Sequence, residues 1–331
     1  MKLQKVRDLD LDVGVVDVAF LDEDRILVTS PVADVWSLDL DPSDARPTLV
    51  SPATDVLAPI ARSFGKEAMD PAQGAYPRLV ASDAAGSMVV NSHDFVLLKS
   101  PLSGEPKWLA ISITWGLYYP DLIFSPDGAR FAARSDTLII YETEGWKWRT
   151  HDCSVVCAWH STESKLLCLD FDNRLGWLDY TDWPEEPPPF ELLGETSAKK
   201  KWEDPSGLAI SPQGKTCLIT LESGHLLWWN LDPLEVLNDV KSEDGAVYGV
   251  TGSPGRPWAA VECASGTRFW DLERQTPMGD LFPGISDIRF SPSGERFVTL
   301  SDTSTNPHPK KGQPGSRTAT LWQVQIPRPP L

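Results

Sequence analysis

One stretch constrains this chain more than any other: Asp121 to Glu142, DLIFSPDGARFAARSDTLIIYE. An alternating run through Leu122 and Phe124 meets a turn at Ser125-Pro126-Asp127-Gly128. A second run, Phe131 to Ala133, meets a polar turn at Ser135-Asp136. A third, Leu138 to Tyr141, closes on Glu142. Apolar runs this short, bounded by turn residues, predict three antiparallel strands in a small meander. Such a unit cannot bury both faces by itself, so it needs neighbours of its own kind.

The neighbours are present. The same pattern lies over Val15–Asp39 and, more weakly, over Leu79–Lys99, with Ser82 and Gly86 in its first turn. In Val155–Asp179, Trp159 takes the place of Phe124. Gly207–Asn230 restores the turn as Ser211-Pro212-Gln213-Gly214, Val247–Asp271 has Ser253-Pro254-Gly255, and Asp287–Gln323 has Ser291-Pro292-Ser293-Gly294. The third strands close on Leu38, Leu98, Tyr141, Leu178, Trp229, Trp270 and Trp322. Those residues stand 60, 43, 37, 51, 41 and 52 positions apart, scattered about the roughly 40–45 of a propeller blade. Fourth strands are expected at Thr48–Val50, Lys107–Ile113, Trp146–Thr150, Phe190–Gly194, Glu235–Val240 and Pro277–Phe282.

The expectation is one all-β domain over 1–331, a seven-bladed β-propeller. Its blades would lie at 15–50, 79–113, 121–150, 155–194, 207–240, 247–282 and 287–324. The last unit lacks an outer strand of its own, because after Trp322 the residues Pro327, Pro329 and Pro330 bar a ladder. Lys2–Leu9 belongs to no unit. Pairing it with the last blade closes the ring and covers an open edge.

With the FSPDG-type turns and the Trp270-Asp271 dipeptide in place, the chain resembles a degenerate WD-repeat β-propeller. A TolB-like propeller carries the same FSPDG turn, so the subfamily stays open. The family's Gly-His dipeptide opens none of the units, and a closing acid stands only at Asp39, Glu142, Asp179 and Asp271. The Asp–His–Ser–Trp network that the resemblance implies is therefore in doubt, and the propeller is not.

Composition removes several classes of function. A net charge of −17 argues against nucleic acid, which needs a basic footprint. No apolar run of about 18 residues exists to span a membrane, and MKLQKVRDLDLD has no apolar stretch after its lysines to act as a leader. Five cysteines without a CxxC pair fit core thiols in a reducing cytoplasm. The histidines His93, His151, His160, His225 and His308 form no metal-ligand spacing, and no nucleophile elbow or phosphate loop occurs. Leu21-Asp22-Glu23-Asp24 lacks the spacing of a calcium loop and reads as a solvated turn. No catalytic residue, metal site or cofactor is expected.

What remains is loops. Ser51–Arg78, Glu195–Asp204 and Asp302–Arg317 exceed what blade closure needs. They join fourth strands to first strands or second to third, and in a four-stranded meander both kinds of connection emerge on one face of the disc. Pro184–Pro189, PEEPPP, is a stiff connector on the other face. The three insertions hold 7 acids and 9 bases, which leaves −19 on the rest of the chain. Lys199, Lys200, Lys201, Lys310 and Lys311, with the aromatics Trp115, Tyr118, Tyr119 and Trp202, are the candidate partner-binding residues, since aromatic anchors with a charged rim build interfaces. The resulting expectation is a non-catalytic protein-interaction platform, with an inhibitor or immunity-type partner as one version. The competing reading is an enzyme or small-ligand propeller using the central channel. It would require inward Asp, Glu, Asn or His at the starts of first strands, where the sequence shows mostly Val, Leu and Ile.

Overall fold

The computed structural model describes residues 2–9, 15–30, 34–41, 46–52, 78–82, 87–92, 95–100, 107–112, 121–134, 137–143, 147–151, 156–170, 172–195, 204–302 and 317–325, with 78–112 described in backbone only. These residues are all β, with no helix. Strand β1 is Lys2–Leu9. Sheet one holds β2 (Asp17–Phe20), β3 (Arg25–Thr29), β4 (Val35–Asp39) and β5 (Thr48–Ser51). Sheet two holds β6 (Arg78–Ser82), β7 (Ser87–Ser92), β8 (Phe95–Ser100) and β9 (Lys107–Ser112). Sheet three holds β10 (Asp121–Phe124), β11 (Arg130–Arg134), β12 (Leu138–Glu142) and β13 (Trp148–His151). Sheet four holds β14 (Val156–Trp159), β15 (Lys165–Leu169), β16 (Arg174–Asp179) and β17 (Glu191–Glu195). Sheet five holds β18 (Pro205–Ile210), β19 (Thr216–Leu221), β20 (His225–Leu231) and β21 (Leu234–Lys241). Sheet six holds β22 (Val247–Gly252), β23 (Trp258–Cys263), β24 (Gly266–Asp271) and β25 (Thr276–Pro277). Sheet seven holds β26 (Ser286–Phe290), β27 (Arg296–Asp302) and β28 (Arg317–Gln325). Each sheet is an antiparallel meander of four strands, and β1 is the fourth strand of sheet seven, in the order β1-β28-β27-β26.

The expected blade count needs correction. Five inter-blade cores are described, and they link six blades in the order three, four, five, six, seven, one. Between blades seven and one, for example, Val298, Leu300 and Leu321 pack with Val18, Phe20 and Ile26. Six packed blades, not seven, are therefore shown. Sheet two is described by its backbone pairing.

That tight turn is what registers one blade on the next. Ser125 N–H donates to Arg130 O at 2.9 Å, its hydroxyl accepts from Arg130 N at 3.0 Å, and Gly128 N–H closes on Ser125 O at 2.8 Å. The same bonds hold Ser211 to Thr216 and Ser291 to Arg296. The glycines Gly128, Gly214 and Gly294 sit at φ 67, 66 and 71°, where a Cβ is strained. Blade four has His160 at the serine position, and its Nδ1 accepts from Thr162 N and Glu163 N instead. Each turn then reaches the next blade. Ser164 Oγ donates to Asp127 at 2.9 Å, Ser161 Oγ to Pro212 O at 2.6 Å, and Thr216 Oγ1 to Leu272 O at 3.4 Å. Arg256 pairs with Glu295.

The same belt explains Leu21-Asp22-Glu23-Asp24, which is not merely a solvated turn. Glu23 accepts from Ser293 N and, at 2.9 Å, from Ser293 Oγ, while Asp24 pairs with Arg296 at 2.9 Å. Those acids dock blade seven on blade one. Strand β1 completes the seam: it pairs with β28 from Lys2↔Gln325 to Leu9↔Ala319, and Arg7 donates to Leu40 O at 3.0 Å. A register shift between Lys5 and Arg7 throws Val6 outward, 47% exposed, while Leu9 stays buried. One fourth strand is shorter than expected. Blade six pairs only Thr276–Pro277, because Pro277 has no N–H to extend the ladder, and Phe282 returns as an isolated bridge to Thr267.

Two predictions follow from the seam. Deleting residues 2–9 removes Leu9 and the partly buried Leu3, at about 1.5–3 kcal/mol each, which at 2–4 °C per kcal/mol for a chain this size lowers the Tm by about 10 °C. An unchanged melting curve would refute the closure. At Gly214 an added Cβ falls inside contact distance of His160 Nε2, and left-handed backbone costs an L residue about 1–2 kcal/mol. Gly214→Ala should destabilise by at least that much, and His160→Ala should recover part of the loss in a double-mutant cycle by urea unfolding.

Candidate functional site

The nine residues expected to bind a partner, Trp115, Tyr118, Tyr119, Lys199, Lys200, Lys201, Trp202, Lys310 and Lys311, lie outside the described residues. The ends of their loops are described: β17 stops at Glu195 and β18 starts at Pro205, and β27 stops at Asp302 with β28 starting at Arg317.

Between those loops, at the starts of the inner strands, the described residues hold a feature the sequence did not reveal. In three successive blades the inner strand carries one extra residue against its partner. The register slips between Pro205 and Gly207, between Val247 and Gly249, and between Ser286 and Ile288. The residues left over are Ser206, Tyr248 and Asp287. A bulge re-aims the side chain it inserts. Tyr248 is 67% exposed while Val247 beside it is fully buried, and Asp287 takes φ 51°. Inner strands start on the insertion-bearing face, so all three stand at that mouth of the ring.

Charge gathers at the same place. Opposite the bulges of blades five and seven, β19 and β27 place Thr220 and Thr299, and in blade one β3 places Thr29 opposite Asp17, all three threonines buried. Blade six has Glu262 at this position. Its carboxylate faces blade seven, where the backbone N–H groups of Ile288 and Asp287 favour its charged form. Burial raises its pKa above the usual carboxylate range, the Asp287 charge adds to that, and Arg289 and the two N–H groups oppose it without winning. Arg289 in turn faces blade one, its Nη2 3.3 Å from Asp17 Oδ1. Asp17 is the main cause of the raised pKa of Arg289, and its Oδ1 also accepts from Val18 N at 2.8 Å. Three acids and one base thus bridge blades six, seven and one beside an exposed tyrosine.

No family model matches the chain. A stretch of 85 residues is 29% identical to the small ribosomal subunit protein RACK1y of Oryza sativa subsp. japonica, a WD-repeat protein, and it spans a quarter of this chain and a quarter of that one. The fold is a β-propeller, and over that stretch the chain is similar to a WD-repeat protein. WD-repeat propellers commonly serve as protein-interaction platforms.

Set beside the Asp–His–Ser–Trp network of WD-repeat propellers, the described residues hold little that matches. Trp322 Nε1 donates to Thr299 Oγ1 at 3.0 Å. The indole N–H groups of Trp229 and Trp270, at the same position in their blades, are buried without a hydrogen-bond partner. The described histidines make fold contacts: His151 meets Tyr180 between blades three and four, and His225 pairs with Asp239 across one blade at 2.8 Å. Cys168, Cys217 and Cys263 are buried and Cys157 is half-buried, and burial pushes the Cys217 thiol well up. Among the described residues no three His, Cys, Asp or Glu are grouped to hold a metal.

Strict alternation along the strand gives Val247 and its counterparts one set of facing positions, whereas a bulge moves the exposed position by one. The signal was a glycine inside a strand pattern, at Gly207 and Gly249. A Cβ on Gly207 would sit 2.9 Å from Val250 N of the next blade, so the glycine also lets the inner strands converge.

Glu262 offers a test with a defined sign. Its folded pKa is raised, so its contribution is most favourable below its unfolded pKa, near 4.5, and is lost as pH rises through the folded value. Glu262→Gln should therefore raise the Tm at pH 7–8, and the gain should vanish near pH 4. A gain that persists at pH 4 would place the cause elsewhere.

Proposed function

We propose that this chain is a protein-interaction platform that performs no chemistry of its own, and that its partner docks on the insertion-bearing face over the mouth of the ring. The observation that carries this reading is Tyr248, an aromatic 67% exposed at the start of an inner strand. Tyrosine there supplies apolar area and a hydroxyl at low entropic cost, which is why it anchors interfaces. Asp17, Glu262 and Asp287 make the centre acidic, and the chain outside the insertions carries −19. A partner with a basic docking surface fits that centre. Trp115, Tyr118, Tyr119 and Trp202 then supply outlying anchors, with Lys199–Lys201 and Lys310–Lys311 as a rim that sets on-rate and salt dependence.

Similarity to a protein named as a component of the small ribosomal subunit supports work within an assembly. In the finer version of this reading, the chain is a dedicated inhibitor or immunity-type partner, an acidic protein neutralising a basic effector in the cytoplasm. The non-catalytic part is supported by the three described histidines, each engaged in fold contacts.

Photo-crosslinking in the native host tests the reading. A benzophenone amino acid at position 248 or 202 should give a discrete adduct, and one at Gln213 in a tight turn should not. Charge reversal at Lys199–Lys201 should reduce the adduct as salt does. Adducts from position 213 alone, or from none of the three, would overturn the docking face.

A further inference from the structure

On the opposite face, at the rim between blades three and four, β13 and the Pro184–Pro189 connector border an open groove of about 490 Å³, lined by Lys147, Trp148, Arg149, Thr150 and Glu185–Pro187. That volume lies within the range of ligand-binding clefts, roughly 300–1,000 Å³. One aromatic, Trp148, lines it. Trp148 stands opposite Tyr141, which stacks on Phe131 at 4.6 Å, and Phe131 pairs in register with Phe124. This row crosses the blade and ends in an indole 56% exposed.

The wall is fixed by Arg149. Its Nη2 donates to Pro184 O at 2.9 Å and to Glu185 O at 2.5 Å, and its guanidinium lies over the Trp183 ring at 5.4 Å. Glu185, Glu186 and Pro187 are exposed, and among the described residues neither carboxylate has a cation within ion-pair distance. Nη1 of Arg149 donates to Trp148 O at 2.9 Å. An acceptor on the free edge of β13 is thereby occupied, and a strand adding to that edge would find its ladder interrupted.

We propose that this groove binds a proline-rich segment of another protein that carries an arginine or lysine. A polyproline segment needs no backbone ladder, its rings stack on flat aromatic and prolyl surfaces such as Trp148 and Pro187, and its preformed shape lowers the ordering cost. Glu185 and Glu186 take the cation. The site is separate from the insertion-bearing face, so its failure would leave the platform reading untouched.

The test uses the full chain and a fluorescein-labelled peptide, APPRPPLPPR, followed by anisotropy. Saturable binding is expected. Trp148→Ala should weaken it about tenfold or more, as loss of an exposed aromatic anchor does. The double variant Glu185→Gln/Glu186→Gln should weaken it about two- to fivefold, with reduced salt dependence. Circular dichroism should match wild type for both, since all three side chains are exposed. A peptide with alanine for every proline should bind at least about tenfold more weakly. No saturation by about 1 mM peptide, a weak-affinity limit, would overturn the proposal. So would undiminished binding by Trp148→Ala or by the Gln pair, or equal binding of the alanine peptide.

Discussion

The structure depends on contact between neighbouring blades. A four-stranded meander has two apolar faces and covers neither, so each blade is stable only when flanked. The five described cores are all of this kind: Leu167 and Leu169 of blade four meet Leu208 and Ile219 of blade five, and Trp228 of blade five meets Trp270 of blade six. Burial of such surfaces supplies the free energy but is nearly indifferent to register. Register comes from the belt of tight turns. Individually its exposed ion pairs contribute little. Collectively they fix which blade face meets which, because Glu23 reaches Ser293 and Ser161 reaches Pro212 only when the blades are seated.

The belt also explains what was legible in the sequence. Ser-Pro-x-Gly could be read because the turn is held by its own residues, the serine hydroxyl and a left-handed glycine, and local chemistry is written locally. The spare strand could be read because an unpaired edge is costly. Side-chain roles set by a neighbouring blade could not. His160 reads as a departure from the repeat, yet it performs the serine's task through Nδ1. Leu21–Asp24 reads as a solvated acidic turn because its partners, Ser293 and Arg296, stand some 270 residues further on. The bulges were missed for the same reason: the alternation of Val247 to Gly252 looks regular until Gly249 is seen against Glu262 and Gly207 against Val250.

The two faces consequently differ in freedom. On the tight-turn face, inside the rim groove, most polar groups are committed to the next blade. At the mouth of the ring the repeat relaxes. Buried threonine at three blades gives way to Glu262 at the fourth, a charge that the neighbouring bulge has to satisfy. Departures from a local rule without gain in stability mark the places where function is expected. Glu262 is such a departure, since its raised pKa records a net penalty for the charged form.

The rim obeys a third logic. Inner strands are flanked on both faces and converge closely enough that Gly252 lies within 3.3 Å of Ala209 Cβ once a Cβ is built on it. Outer strands pair on one edge only, and their exposed apolar residues, Leu49, Trp148, Leu192, Val236 and Leu237, belong to β5, β13, β17 and β21. A side chain there can change without disturbing an inter-blade core. Open edges also invite unwanted strand pairing. At β13 the guanidinium that anchors the proline connector also takes the carbonyl of Trp148. One arginine thus protects the edge from strand addition while leaving the indole beside it exposed, a combination that disfavours a β-strand ligand and still offers a flat aromatic surface.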